Sequence, residues 1–330
     1  MSGPMGIFLQ VLGWLVLARV AIGLLASFKS SRPDGDLLRQ APIRRLMLHI
    51  MPTRTESTVL VEAAVDAAPL EAFLARARSQ LGANLTHAVV AAAGVALAVN
   101  PRLNRFSSGG RLYARRGRWV SFSMKRAVDP NGSVSRKAGM ATVKIPMVER
   151  EAFGALCARI NGDIRLQRSG ARTAADKEYD LFDLLPPVLL DAAAPAVRWL
   201  DAHNLLPGFF IDGDALFTSV FVANLGSLGM RGGFHHLFEY GNCPIFLVVG
   251  AVEERAVVRD GAVVAVRQLP LWFTYDERIE DAANARHAVE AIQRILEEPD
   301  RWLSGLNGEA PALWPREDWE SPDGRFALRS

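Results

Sequence analysis

Residues 269–285 read LPLWFTYDERIEDAANA, a strand that runs into a charged corner and then into a helix. Leu271, Phe273 and Tyr275 alternate with Trp272 and Thr274, residue types that fit a pleated, half-buried surface, and Pro270 stands near the start. Asp276, Glu277, Arg278, Glu280 and Asp281 then crowd together. A sheet fixes the position of such a corner while the first turn of the helix leaves backbone donors free, which is why reactive groups are often displayed there.

The flanking segments supply a scaffold. Residues 283–296 form an amphipathic helix stopped by Pro299, residues 245–252 a strand, and residues 255–258 pair with 263–269 through Arg259-Asp260-Gly261 as a hairpin. Residues 216–225, LFTSVFVANL, are β-rich and closed by Gly226 and Gly229. Upstream, residues 43–51 suit a short basic and apolar helix, 57–65 alternate as a strand, and Leu70, Phe73, Leu74 and Leu81 mark a helix broken at Gly82. Residues 85–99 are apolar on nearly every side, so this helix is central, and His87 within it reads as a hydrogen-bonded core residue. Strands are expected at 111–113, 119–125 and 141–145, and a helix at 149–166. The basic turn Arg115-Arg116-Gly117-Arg118 suits a solvated turn better than a phosphate site.

Half of the 330 residues are apolar, enough for a large core, and the formal charge of +3 is small. No basic stripe interleaved with aromatics and no zinc-finger spacing occurs, so nucleic acid is not an expected partner. Cys157 and Cys243 stand alone, which excludes a disulfide framework and a cysteine-based structural metal site and suits a reducing compartment. Residues 7–28 are almost wholly apolar, interrupted by Gln10, Gly13 and Arg19, and at ~1.5 Å per residue are about long enough to cross a bilayer. Lys29, Arg32, Arg39, Arg44 and Arg45 follow and no Lys or Arg precedes, so by the positive-inside tendency the rest of the chain is expected on the cytoplasmic side. The alternative is a helix packed on a partner or on its own domain. A second apolar run, 179–207, is split by Pro186-Pro187 and is expected to be a helical hairpin packed on the domain or on the membrane surface. The division is then 1–28 membrane-associating helix, 29–41 linker, 42–304 globular domain with a helical insertion around 171–212, and 305–330 tail.

From Pro42 to about Asp300 the chain resembles the catalytic domain of the dihydrolipoyl acyltransferases of 2-oxoacid dehydrogenase complexes, relatives of chloramphenicol acetyltransferase. The matching pieces are Arg44-Arg45, Leu85-Thr86-His87, Asn100-Pro101-Arg102-Leu103-Asn104, Asn224-Leu225-Gly226 with Gly229, and the block from Ile245 to Pro299. The resemblance implies an α/β fold, a two-layer sandwich of mixed sheet and helices. It also implies a homotrimer with the site in a channel between subunits, no resident cofactor, and a coenzyme A thioester as co-substrate.

Two departures stand out. The family corner reads Asp-His-Arg, two residues, then Asp or Asn and Gly, so Glu277 takes the place of the catalytic histidine and Asp281 and Ala282 close the motif. A carboxylate near ~4.3 is a poor match for a thiol near ~8.5 unless burial and neighbouring carboxylates raise it. Ala223 stands where many members carry a serine that holds the oxyanion, a loss on the order of 3 kcal/mol of transition-state stabilisation. Relocated chemistry has a candidate in Phe234-His235-His236-Leu237-Phe238-Glu239-Tyr240-Gly241, whose paired histidines echo a superfamily signature and have Glu239 as a possible orienter. A subunit-contact loop explains the same residues, and a metal site there has little support. The candidate catalytic residues are therefore His236, His235, Glu277 and Asp281, with Asn224, Ala223, Arg278 and Asp276 around the substrate. The expected function is CoA-dependent acyl transfer to an unknown acceptor on the cytoplasmic face of a membrane. The alternatives are a catalytically silent scaffold of the same fold and a hydrophobic-ligand binder.

Overall fold

The computed structural model describes residues 4–126, 139–169 and 186–303. Helix α1 (Pro4–Ala26) is exposed along most of its length, with Ala26 buried at its end, and is long and apolar enough to cross a membrane. After it come β1 (Gly35–Leu37), α2 (Pro42–Ile50), β2 (Thr58–Asp66), α3 (Ala67–Leu81) and α4 (Leu85–Val99). The next elements are β3 (Arg105–Ser108), β4 (Arg111–Arg115), β5 (Trp119–Lys125), β6 (Met140–Pro146), α5 (Phe153–Arg168), α6 (Pro187–Ala202) and α7 (Gly208–Gly213). The chain continues through β7 (Val220–Asn224), β8 (Ile245–Val249), β9 (Glu253–Arg259), β10 (Ala262–Asp276), α8 (Ala282–Glu297) and α9 (Pro299–Trp302).

The main sheet runs β2-β10-β8-β7-β5-β6, with β9 paired to the first part of β10. β7 lies parallel to β5 and β8 and the other pairs are antiparallel, so the sheet is mixed. Alternation along each strand makes two faces. Leu271, Phe273 and Tyr275 of β10, Ile245, Leu247 and Val249 of β8, and Val220 and Val222 of β7 join the core under the helices. Phe221, Phe246, Ala223, Val248 and Trp272 face the other way and form two smaller clusters. The two-layer α/β sandwich expected from the sequence is the observed architecture.

Local signals explain the helix boundaries. Asp66 accepts from the Ala68 N–H at the start of α3, and Gly82 ends that helix at φ 63°, a conformation that costs glycine little. Asn84 and His87 form a capping box on α4. His87 is fully buried, its ring nitrogens near Asn84 and Asn161, and burial lowers its pKa: it is the core residue expected.

Five expectations are revised. The hairpin strand and the corner strand are one continuous β10, and Pro270 falls where its edge partner changes from β9 to β8, a position at which a missing N–H costs little. Residues 105–108, read as a lead into a glycine turn, are strand β3, joined to β4 through Gly109 (φ 56°) and Gly110 (φ 69°), a two-residue turn with both φ positive. The stretch read as a linker is built into the fold: β1 pairs with β4, and Arg32 and Asp34 are ion-paired and shielded. Arg32 also reaches Asp201 of α6, and Arg115, far from a solvated turn residue, is buried beside Asp34 and bonded to Asn242. Of the 179–207 run, α6 is a single helix containing Pro195, while its part before 186 lies outside the described residues, as does the tail from 304.

Both cysteines are buried, and burial pushes their thiols up, Cys157 to about 12 and Cys243 to about 11.

Candidate active site

The corner is organised by Asp276, which has no exposed surface. Its Oδ1 accepts from Ser57 Oγ (2.9 Å), the Arg278 backbone N–H (3.0 Å) and Arg278 Nε (2.8 Å). Its Oδ2 accepts from Ser107 Oγ (2.9 Å) and Arg278 Nη2 (2.8 Å). Burial alone would raise this carboxyl, but the hydrogen bonds and charge of Arg278, together with Arg54 and Ser57, outweigh it and hold it below the usual range. Arg54 is buried beside it, donating to the carbonyl oxygens of Phe238, Glu239 and Ser107, and burial lowers its pKa against the pull of Asp276. Arg278 also donates to the Met51 carbonyl oxygen. Asp276 and Arg278 are thus a fully engaged pair that sets the backbone of the corner.

Glu277 is the one residue of 275–280 that is not buried. Its backbone is fixed, the N–H on the Ser57 carbonyl and the carbonyl oxygen near Arg44 Nη1, while its carboxylate has no hydrogen bond or ion pair among the described residues. Next to it, the Tyr275 hydroxyl is buried without a hydrogen-bond partner among the described residues. Burial raises that phenol, and the charges of Glu277 and Asp281 raise it further. Arg44 of α2 clamps the far side, with Nη2 at 3.1 Å from both Glu280 and Asp281. Glu280 is buried and is also held by Arg105 at 3.0 Å. Asp281 caps α8: the Asn284 backbone N–H, with Arg44 and Asn284 adding, keeps its carboxyl below the usual range. It is engaged as a cap and ion-pair partner.

Of the remaining candidates, Ala223, His235 and His236 lie on or beside the sheet face turned away from the helices, whereas Asn224 is bonded to helix α4. Ala223 is buried against Val248 and Trp272. The Asn224 side chain donates to Thr86 Oγ1 and accepts from the Ser227 N–H, which places it in the turn after β7. His235 stacks on Phe246 with ring centroids 4.2 Å apart, and its Nδ1 lies 2.7 Å from the His236 carbonyl oxygen. His236 stacks on His235 and is exposed. Neither ring bonds a carboxylate among the described residues. Glu239 does not orient them, because its Oε1 accepts from the backbone N–H and hydroxyl of Thr55. His235 thus packs on Phe246 with His236 stacked on it, and among the described residues neither has the carboxylate orienter expected. Among the described residues no group of three His, Cys, Asp or Glu could hold a metal ion.

A cleft of about 380 Å³ lies beside the corner, with Arg54, Ser107, Arg278 and Glu239 on one side and Trp199 and Asp201 of α6 on the other. Arg278 lines this cleft and Glu277, its neighbour in the chain, does not; an accessible carboxylate on a rigid corner can accept a proton from a thiol or hydroxyl brought to it. The sequence reading missed Arg54, Ser57 and Ser107. Each contributes through a contact to Asp276 or its surroundings from a segment more than 160 residues away, and no local pattern marks them.

Comparison with known proteins now bears on this site. The family described as 2-oxoacid dehydrogenases acyltransferase (catalytic domain) matches residues 216–304, which hold β7 to α9 and the corner. The chain is 36% identical over 82 residues to the dihydrolipoyllysine-residue acetyltransferase component of the pyruvate dehydrogenase complex of Bacillus subtilis, covering 25% of this chain and 18% of that protein. The corresponding Staphylococcus aureus protein is 30% identical over 82 residues, covering 25% of this chain and 19% of that one. The matched stretch thus spans under a fifth of these relatives. Among solved structures, a probable dihydrolipoamide acetyltransferase from Listeria monocytogenes superposes with a TM-score of 0.53 at 15% identity, covering 82% of this chain and 97% of that one. The dihydrolipoamide acetyltransferase of Azotobacter vinelandii gives 0.50 at 17% identity, covering 81% and 94%. Over residues 216–304 the chain matches the 2-oxoacid dehydrogenase acyltransferase catalytic domain, and its fold is similar to that of the dihydrolipoamide acetyltransferase cores.

Proposed function

We propose that this protein transfers an acyl group from a coenzyme A thioester to an acceptor thiol or hydroxyl, with Glu277 as the base. The observation that carries the reading is the corner: Asp276 and Arg278 fix it by five hydrogen bonds, and Glu277 alone stays accessible with an unengaged carboxylate. The acceptor proton passes to the Glu277 carboxylate as the acceptor atom bonds to the thioester carbonyl carbon. The tetrahedral intermediate then expels the coenzyme A sulfur, which takes that proton from the Glu277 carboxylic acid. We further propose a trimer, as in the resemblance above, held by α1 on the cytoplasmic face of a membrane.

A second reading is favoured by one observation. Ala223 offers no hydroxyl for an oxyanion and packs instead with Val248 and Trp272, which suits a silent scaffold or a carrier of apolar ligands. One experiment separates the two. Purified protein in detergent is offered a panel of acyl-CoAs with dithiol and alcohol acceptors, and free coenzyme A is followed. Release that disappears in Glu277→Gln and persists in His236→Ala supports transfer. No release with any donor, while coenzyme A still raises the melting temperature, would leave the scaffold.

A further inference from the structure

Helix α2 has two faces. Arg44, Met47 and Leu48 turn inward, Leu48 buried at 5% exposure, whereas Ile43, Leu46 and Ile50 are 64%, 52% and 64% exposed. Spacings of three, four and seven put these three on one stripe of the helix. Lone exposed apolar residues are ordinary, but a stripe on a nine-residue helix amid cations is a surface made to meet something apolar.

Beside α2 opens a cleft of about 530 Å³ in which Arg39, Arg45, His49 and Arg111 appear and no carboxylate does. The guanidinium groups of Arg39 and Arg45 have no hydrogen bond or ion pair among the described residues. Both residues are exposed, so the charge they bring to the cleft is open to a partner. The cleft also lies where α1 ends. Arg111 donates to the carbonyl oxygens of Ser27 and Lys29, immediately after Ala26, and its neighbour Gly110 packs against the His49 ring of α2. Phe28, 86% exposed, stands at the same junction.

From this placement we infer that α2 is an interfacial helix that lies on an anionic bilayer, its Ile43, Leu46 and Ile50 stripe in the acyl boundary and the Arg39, Arg45 and Arg111 cleft on lipid phosphates. The occupant follows from charge and continuity. An apolar helix of spanning length delivers the chain to this point, and unpaired cations beside an apolar stripe match the chemistry of a negatively charged leaflet. The inference rests on the proposed role of α1 as the anchor. It gives α2 a structural consequence too, because the inward Arg44 of the same helix holds Glu280 and Asp281 at the corner.

The test uses the full chain with Leu46→Cys, labelled with a nitroxide. Cys157 and Cys243 are both buried, so the new thiol is labelled selectively. The protein is reconstituted in nanodiscs of phosphatidylcholine alone or with phosphatidylglycerol, and accessibility to oxygen and to a water-soluble nickel chelate is compared. The expected result is a label shielded from the chelate and open to oxygen in the anionic discs. Arg39→Gln with Arg45→Gln should weaken this preference about 25-fold, at roughly fivefold per cation. A label freely open to the chelate in both discs overturns the inference. So does shielding that rises with protein concentration in detergent alone, which would make the stripe a contact between copies. Failure of the chain to enter nanodiscs at all would instead refute the anchor, a result distinct from either.

Discussion

Replacing Asp276 by asparagine keeps the shape of the corner and removes its charge. Three donors meet Oδ1 and two meet Oδ2, three of the five coming from Arg278. An amide can accept at one end only. With its NH₂ at the Oδ2 position, Ser107 can rotate to accept, but the amide protons then face Arg278 Nη2, donor against donor. Buried Arg278 is left without its counter-charge, and buried Arg54 loses the largest of the attractions that oppose its burial. Breaking one side of a buried ion pair costs about 3–5 kcal/mol, a large share of the ~5–15 kcal/mol that holds a typical domain together. The melting temperature should fall on the order of 10 °C. Urea denaturation of the wild type and the variant, with the slope checked for equality, measures it. A loss under about 1 kcal/mol would refute the reasoning, since Asp276 would then be a spectator to a corner held by other contacts.

Acid should act through the same group and through Asp34, both held below the ordinary carboxylate range in the folded protein against the upward push of burial. The unfolded chain binds their protons first as pH falls, so this stabilisation is whole above about pH 4 and drains away below it; urea midpoints at pH 6 and pH 3 should differ more for the wild type than for Asp276→Asn. Glu277→His restores a base nearer in strength to a thiol and should raise coenzyme A release on the order of tenfold, and Ala223→Ser should add up to ~100-fold by supplying an oxyanion donor. If both leave release at background, the proposed transfer is wrong. Gly109→Ala should cost over ~1 kcal/mol, because the glycine's φ is 56° and a Cβ would run into the Ala202 carbonyl of α6; an unchanged melting temperature would contradict the β3–β4 turn described here.

Most of the scaffold could be read from periodicity. The strand over Trp119–Lys125 and the helix over Leu85–Val99 coincide with the residues expected, because alternation and all-round apolarity report burial directly. The corner was also legible, since Asp276, Arg278 and Asp281 sit in one short run. Contacts made across the fold were not. Ser57 and Ser107 look like any surface serines until β10 brings Asp276 between them, and Arg32 reads as part of a polar linker until α6 presents Asp201. The paired histidines illustrate the opposite: adjacency in sequence suggested a joint acid-base role, whereas in the fold His235 stacks on Phe246 and His236 on His235.

The two sheltered thiols constrain the kinetics of any transfer this chain performs. With both sulfurs enclosed and their acidities pushed to about 12 and 11, neither is ionised near neutrality to capture an acyl group. A cysteinyl thioester relay is thereby closed, and the direct transfer proposed above brings donor and acceptor together in one ternary assembly. Initial-rate plots against the two substrates should intersect instead of running parallel, and iodoacetamide should leave turnover intact.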